Sequence, residues 1–343
     1  MEELRNFTLL LSLTKGIGIK TYLGLVEEFG SIEALYNNYI HRNLDPQLIA
    51  NLAGLDVNIA IKRLLKSNIK FTCLWEDSYP PLLKEIPDAP IVLFYVGNIQ
   101  IAQSLRLISI VGTRKISPYG KYLLDKLVPN LVAQNITIVS GLAYGVDAYA
   151  HNLTLQHNGQ TIAVLPCSVD SPVPKENYYL YSKILDSNGL IFSDAFPGTK
   201  VVAGSFPKRN RIIAGLSEST IVIEAGIKSG ALITAKLAFD YDREVLAYPG
   251  NVNTENSKGC NYLIRNNIAT LADSFFEYNK NVDIAKLPKD EQKVYYAILH
   301  GQKDLERLSE ILNLEIKYLS EICTKLILNG ILNTDNQNNF YIN

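Results

Sequence analysis

Apolar residues fall at helical spacing from the start of the chain. Leu9, Leu10 and Leu13, then Leu23, Leu25, Val26 and Phe29, mark the buried faces of short amphipathic helices. This pattern fills residues 1–66 and predicts a small N-terminal helical domain. Within it lies Lys15-Gly16-Ile17-Gly18-Ile19-Lys20, whose two glycines allow a tight turn between helices. Such a hairpin either packs two helices together or offers backbone N–H groups to a phosphate, and the local sequence leaves both readings open.

The pattern then changes. Across residues 67–278, short β-branched runs alternate with helical stretches. Leu107–Val111, Thr137–Val139, Thr161–Leu165, Thr220–Ile223 and Glu244–Ala247 predict strands, with Phe71–Trp75 and Ile91–Tyr95 as edge strands. Continuous apolar strands separated by helices predict an α/β fold: a Rossmann-like, mostly parallel sheet with helices on both faces. A polar stretch, Asn279-Lys280-Asn281, precedes a third region, residues 286–343. Helices around Val294–Leu299, Leu305–Leu312 and Ile316–Leu328, then two short strands, predict a winged-helix domain. Its acids Glu306, Glu310, Glu315 and Glu321 favour protein contact or structural capping over DNA reading.

Composition narrows the classes. At 343 residues and 47% hydrophobic, the chain suits a globular protein of two or three domains. It has no apolar run of membrane-spanning length and no basic segment leading an apolar one at its N-terminus, so a cytoplasmic location is expected, with no membrane partner. Cys73, Cys167, Cys260 and Cys323 are widely spaced, and neither C-x-x-C nor H-E-x-x-H occurs. No metal or cofactor is expected. The net charge is −1, so any affinity for nucleic acid must come from a local patch.

The candidate chemistry lies after the strands, because ligands of open parallel sheets bind beyond the carboxyl ends. Gly112-Thr113-Arg114-Lys115, Ser140-Gly141-Leu142-Ala143-Tyr144-Gly145, Gly226-Ile227-Lys228-Ser229-Gly230 and Pro249-Gly250 each follow a predicted strand. Glycine lets backbone donors approach a ligand, and a following helix N-terminus favours an anion, so four such turns on one rim predict a phosphate-type ligand. Phe206-Pro207-Lys208-Arg209-Asn210-Arg211 adds three cations and an aromatic face for a base. The apolar run Ile212-Ile213-Ala214 draws this segment inward. Alternating residues would then point opposite ways, so some of these cations pack inside. Asp147 and Glu224 lack the partners of an acid–base pair, and Walker, strict G-x-G-x-x-G and G-x-S-x-G motifs are absent. A catalytic residue is therefore not expected.

At these motifs the sequence resembles the DNA-processing protein A family (DprA, also called Smf). The resemblance rests on Ile110–Lys115 with Ser117-Pro118-Tyr119-Gly120, and on Ser140–Ala143 with Gly145-Val146-Asp147 and Ala150-His151. It continues through Phe206–Ser217, Glu224-Ala225 with Ser229–Ala235, Pro249-Gly250 and Gly259–Ile264. The flanks agree with the family's N-terminal helical (helix-hairpin-helix, SAM-like) domain and its C-terminal winged helix. The resemblance implies a homodimeric recombination mediator without catalytic turnover. It would protect incoming single-stranded DNA during natural transformation and load RecA recombinase onto it. Carried across, the DNA pocket would comprise Gly112, Thr113, Arg114, Lys115, Ser140, Gly141, Phe206, Lys208, Arg209, Asn210, Arg211, Ser229 and Gly230. Tyr144 stands where the family usually carries Arg, and there it exchanges a cation for a stacking face. Pro166-Cys167-Ser168 and Asp194 also depart from the family pattern. The alternative is a nucleotide-processing enzyme of the phosphoribohydrolase type. Against it, Thr234 is followed by no acid before Asp240.

Overall fold

The computed structural model describes residues 1–199, 201–272, 287–299, 301–328, 331–334 and 340–342. The expected domain limits at 278 and 286, and the polar stretch 279–281, lie outside the described residues. Two compact units result, Met1–Phe276 and Glu277–Asn343.

The first unit opens with helices α1 (Glu2–Leu13), α2 (Ile19–Phe29), α3 (Ile32–Ile40), α4 (Pro46–Ala53) and α5 (Val57–Lys66). Local chemistry sets their ends. Ser31 and Asp45 cap α3 and α4 through side-chain oxygens, and Gly30 closes α2 in the left-handed conformation. Leu9, Leu11, Leu35 and Leu52 are fully buried in the core these helices share with the sheet, each stabilising by about 1.5–3 kcal/mol. Arg5 joins the two: Nη2 donates to the Phe71 carbonyl at 2.6 Å and Nε meets Glu76 at 3.0 Å.

The sheet follows as β1 (Lys70–Cys73), β2 (Val92–Gly97), β3 (Leu107–Val111), β4 (Thr137–Ser140), β5 (Thr161–Val164), β6 (Leu190–Ser193), β7 (Ser219–Val222), β8 (Glu244–Ala247) and β9 (Thr270–Leu271). Its order is β1-β2-β6-β5-β4-β3-β7-β8-β9. From β6 to β9 all neighbours are parallel, while β1–β2 and β2–β6 are antiparallel. Helices α6 (Pro81–Lys84), α7 (Pro118–Ala133), α8 (Val146–Gln156), α9 (Tyr178–Asp186), α10 (Ser205–Leu216), α11 (Gly230–Asp240) and α12 (Glu255–Arg265) connect the strands and cover both faces. Every residue of β3 to β7 is buried, as double covering requires. The strand order reverses between β3 and β7, which opens a crevice above their carboxyl ends. Two strands lie outside the expected set: β6, a buried apolar four-residue run after Asn188-Gly189, and the two-residue β9.

In the second unit α13 (Lys289–Leu299), α14 (Leu305–Leu312) and α15 (Ile316–Leu328) enclose a core that includes Val294, Leu308, Leu319 and Leu326. β10 (Leu332–Thr334) pairs antiparallel with β11 (Phe340–Ile342). Among the described residues no helix is long and apolar enough to cross a membrane.

Candidate functional site

Three segments are laced together at the crevice. The Thr113 N–H donates to the Glu224 carbonyl at 2.7 Å, and the Val146 N–H donates to the Thr113 carbonyl at 3.1 Å. Gly112 makes this approach possible, since a Cβ there would lie 2.5 Å from Val146 Cγ2 and 3.0 Å from the Glu224 carbonyl oxygen. Glu224 is buried, and its carboxylate accepts from Ser117 N at 2.9 Å and Ser117 Oγ at 2.6 Å. It therefore pins the loop that leads into α7, rather than standing open as a base. Arg114 leaves this frame exposed, its guanidinium carbon 5.4 Å from the centroid of the Phe206 ring.

The cationic segment is helical, because α10 begins at Ser205. Its side chains consequently sort by helical spacing and not by alternation. Lys208 and Arg211, three residues apart, both reach Asp194 Oδ2, at 2.9 and 2.7 Å. Burial pushes the Asp194 carboxyl up, but the two cations outweigh it and hold its pKa below the usual value. Arg209 points the other way and is 5% exposed. Its Nη1 donates to the carbonyls of Gly141 (2.7 Å) and Val164, and its Nε to Asn210 Oδ1 (3.2 Å). Burial lowers its pKa to about 10 against the opposing pull of Asp147. Asp147 accepts from the N–H groups of Gly141 (3.1 Å) and Ala143 (3.4 Å), so Arg209 and Asp147 grip the two sides of one turn. That turn holds Leu142 at φ 54°, an uncommon conformation for a branched side chain.

Above this floor lies an open cavity of about 520 Å³. Of the residues expected at the site, Gly112, Thr113, Arg114, Phe206, Arg209, Asn210, Ser229 and Gly230 line it. Lys115, Ser140, Gly141, Tyr144, Lys208 and Arg211 do not. Ser140 is fully buried and donates to the Ile110 carbonyl at 2.6 Å. Gly141 packs against Arg209, whose Nη2 would lie 2.6 Å from an added Cβ. Tyr144 is exposed, with its hydroxyl donating to Glu176 Oε2 at 2.5 Å. Gly250 is a helix-packing position, since a Cβ there would meet Ser257 Oγ at 2.1 Å. Lys228, Thr234 and Asn256 also line the cavity, beyond the residues expected at the site. Lys228 is legible as a cation inside the glycine turn after β7. Asn256 comes from α12, far along the chain, and no local pattern marks it. The N-terminus of α11 faces this space through Ser229, Gly230 and Ala231 and adds favourable potential for an anion, whereas α8 presents the Asp147 carboxylate there.

Under α8, His151 is fully buried. Thr161 Oγ1 donates to the Ile138 carbonyl at 2.7 Å, so its oxygen accepts from His151 Nδ1–H, also at 2.7 Å. Nε2 has no hydrogen-bond partner among the described residues. Burial, and then the charge of Arg209, lower the imidazole pKa to about 3. The unfolded chain takes up this proton near its ordinary value of 6.5. Folding stability should therefore be lost as the pH falls below 6.5, at up to about 1.4 kcal/mol per pH unit. Urea unfolding at pH 6.5 and pH 5 checks this. His151→Phe should flatten the dependence, and an unchanged acid slope in that variant would refute the assignment.

Fold and site together define a Rossmann-type binding domain: a switch-point crevice with a glycine-built rim, a buried arginine floor and exposed cations. The family profile of DNA recombination-mediator protein A matches residues 70–283, and the chain belongs to that family. It is 36% identical over 291 residues to the protein Smf of Synechocystis, an alignment covering 84% of this chain and 69% of the relative. Among solved structures it resembles DNA processing protein A of Streptococcus pneumoniae, with a TM-score of 0.64 and 32% identity, covering 79% of this chain and 95% of that one. It also resembles DNA processing protein A of Helicobacter pylori, solved for insight into its single-stranded DNA binding mode. There the TM-score is 0.55 and the identity 31%, over 61% of this chain and 94% of that one.

Proposed function

We propose that this protein captures single-stranded DNA in the switch-point crevice, working in the cytoplasm as a homodimeric recombination mediator. It then presents the strand to RecA recombinase during natural transformation. The observation that carries the reading is the placement of exposed Arg114 over Phe206, at the mouth of a cavity lined by Lys228, Ser229 and Gly230. Cations and backbone N–H groups neutralise phosphates, and an aromatic beside them offers a base-tolerant stacking face. Arg209 contributes from below as a fixed positive floor, while Lys208 is held at Asp194 with an open side chain. Tyr144, Lys115 and Arg211, which lie outside the cavity lining, are assigned supporting roles only. Binding is favoured over catalysis because the carboxylates of Asp147 and Glu224 are both committed to holding turns.

A salt titration of oligothymidylate binding tests this. The wild-type protein should bind more weakly as salt rises, and Arg114→Ala should lower affinity and reduce the log–log salt slope by about 1. Undetectable or salt-independent binding would overturn the reading. Release of a base from a nucleoside monophosphate would support the enzymatic alternative instead.

A further inference from the structure

We propose that the outer face of α7 is a second contact surface for single-stranded DNA, continuing the strand's path from the crevice along Lys115, Tyr119, Tyr122 and Lys126. The inference rests on the proposed single-strand reading and extends it beyond the cavity. Continuity comes from the chain itself. Arg114 lines the cavity, Lys115 is the next exposed residue, and Ser117 caps α7 by accepting from the Gly120 N–H at 3.2 Å.

Along the helix, Tyr119, Tyr122 and Lys126 are spaced by three and four residues, so they share one face. The opposite face, with Leu124, Val128 and Leu131, is buried. Tyr119 is 42% and Tyr122 51% exposed. The Tyr119 hydroxyl donates to the Pro249 carbonyl at 2.9 Å, which fixes the ring at the start of the ridge. Charge runs the same way. Residues 114–126 contain four cations and one acid in a chain of net charge −1. Lys121 turns with Asp125 to Tyr149 of α8, which leaves Arg114, Lys115 and Lys126 as the cations along the path. Asp125 already accepts the Tyr149 hydroxyl at 2.8 Å. Exposed rings interleaved with cations are what sequence-tolerant capture of a single strand requires. At about 1.5 Å per residue, Tyr119 to Lys126 spans about 10 Å. That is room for about three stacked nucleotides at about 3.4 Å each.

A second exposed pair, Tyr178 and Tyr179 on α9, provides the contrast. Residues 175–186 carry Lys175 and Lys183 against Glu176 and Asp186, so that patch has aromatic area without net charge.

The test compares oligothymidylates of about six and about twenty nucleotides, within and beyond a typical single-fold site size. Tyr122→Ala combined with Lys126→Ala should weaken binding of the longer strand about tenfold and leave the shorter within twofold. Arg114→Ala should weaken both, and Tyr178→Ala with Tyr179→Ala should weaken neither. Thermal melting of each variant verifies folding. Unchanged affinity for the longer strand in the α7 variant, with Arg114→Ala still weakening both, overturns the ridge alone. Equal losses on both lengths, or an equal loss in the α9 variant, also overturn it. If the wild-type protein binds neither strand, the crevice reading fails and the ridge fails with it.

Discussion

Arg209→Met should lower folding stability by about 3–5 kcal/mol, the range expected when one member of a buried charged pair is removed. The side chain is 5% exposed and donates to two backbone carbonyls, Gly141 and Val164. Methionine matches its bulk without its donors. Both carbonyls lose a partner inside the protein, and buried Asp147 loses the cation that opposes its desolvation. Burial already raises the Asp147 pKa even with Arg209 present. Removing the cation raises it further. A raised carboxylate pKa means that the folded state holds the proton over a window where the unfolded state has released it. Stability of the variant should therefore fall as pH rises above the ordinary carboxylate range. Adding Asp147→Asn should restore part of the loss, because it removes the uncompensated charge. Urea unfolding of both single variants and the double variant gives the coupling. A loss below about 1 kcal/mol in Arg209→Met would refute the floor role.

How far the sequence discloses this protein depends on whether a feature is local. The strands β3 and β8 are legible to the residue because each is a short, largely apolar run bounded by turn residues. The glycine turns after β3 and β7 are legible for the same reason. The inward turn of part of the cationic segment follows from Ile212-Ile213-Ala214, yet which cation goes in depends on helical spacing from Ser205. Reading the segment as alternating pairs Arg209 with Arg211, whereas the helix pairs Lys208 with Arg211 at Asp194. Ser140 and Gly141 share the motif of the rim but serve its foundation, one through the Ile110 carbonyl and the other against Arg209. Motif membership does not distinguish a residue that meets a ligand from one that holds the residue that does. Asn256 marks the other limit. It donates to the Lys115 carbonyl at 3.0 Å from 141 positions away, a contact only the tertiary fold creates.

Gly145→Val is expected to reduce oligothymidylate binding at least tenfold and to destabilise the fold. Gly145 sits at φ 76°, and a Cβ there would lie 2.2 Å from the Thr113 carbonyl oxygen and 2.6 Å from the Arg114 carbonyl carbon. Both atoms are backbone, so no rotamer change relieves the clash. The positive-φ conformation, φ 76° and ψ −121°, alone costs a branched residue about 1–3 kcal/mol. Relief comes only by moving the 113–114 segment away from the N-terminus of α8, which breaks the Val146 N–H bond to Thr113 at 3.1 Å. Arg114 then leaves Phe206, and the cavity loses its exposed guanidinium. Gly204→Ala is the matched control, with φ −68° and nothing within 4 Å of an added Cβ. It should keep both stability and affinity. Binding must be measured where thermal melting shows Gly145→Val to be folded, so that loss of the rim is read separately from loss of the domain. If the folded variant binds within twofold of wild type, the 113–114 segment is not the part of the rim that meets the strand, and capture would have to rest on Lys228, Ser229 and Gly230 across the crevice.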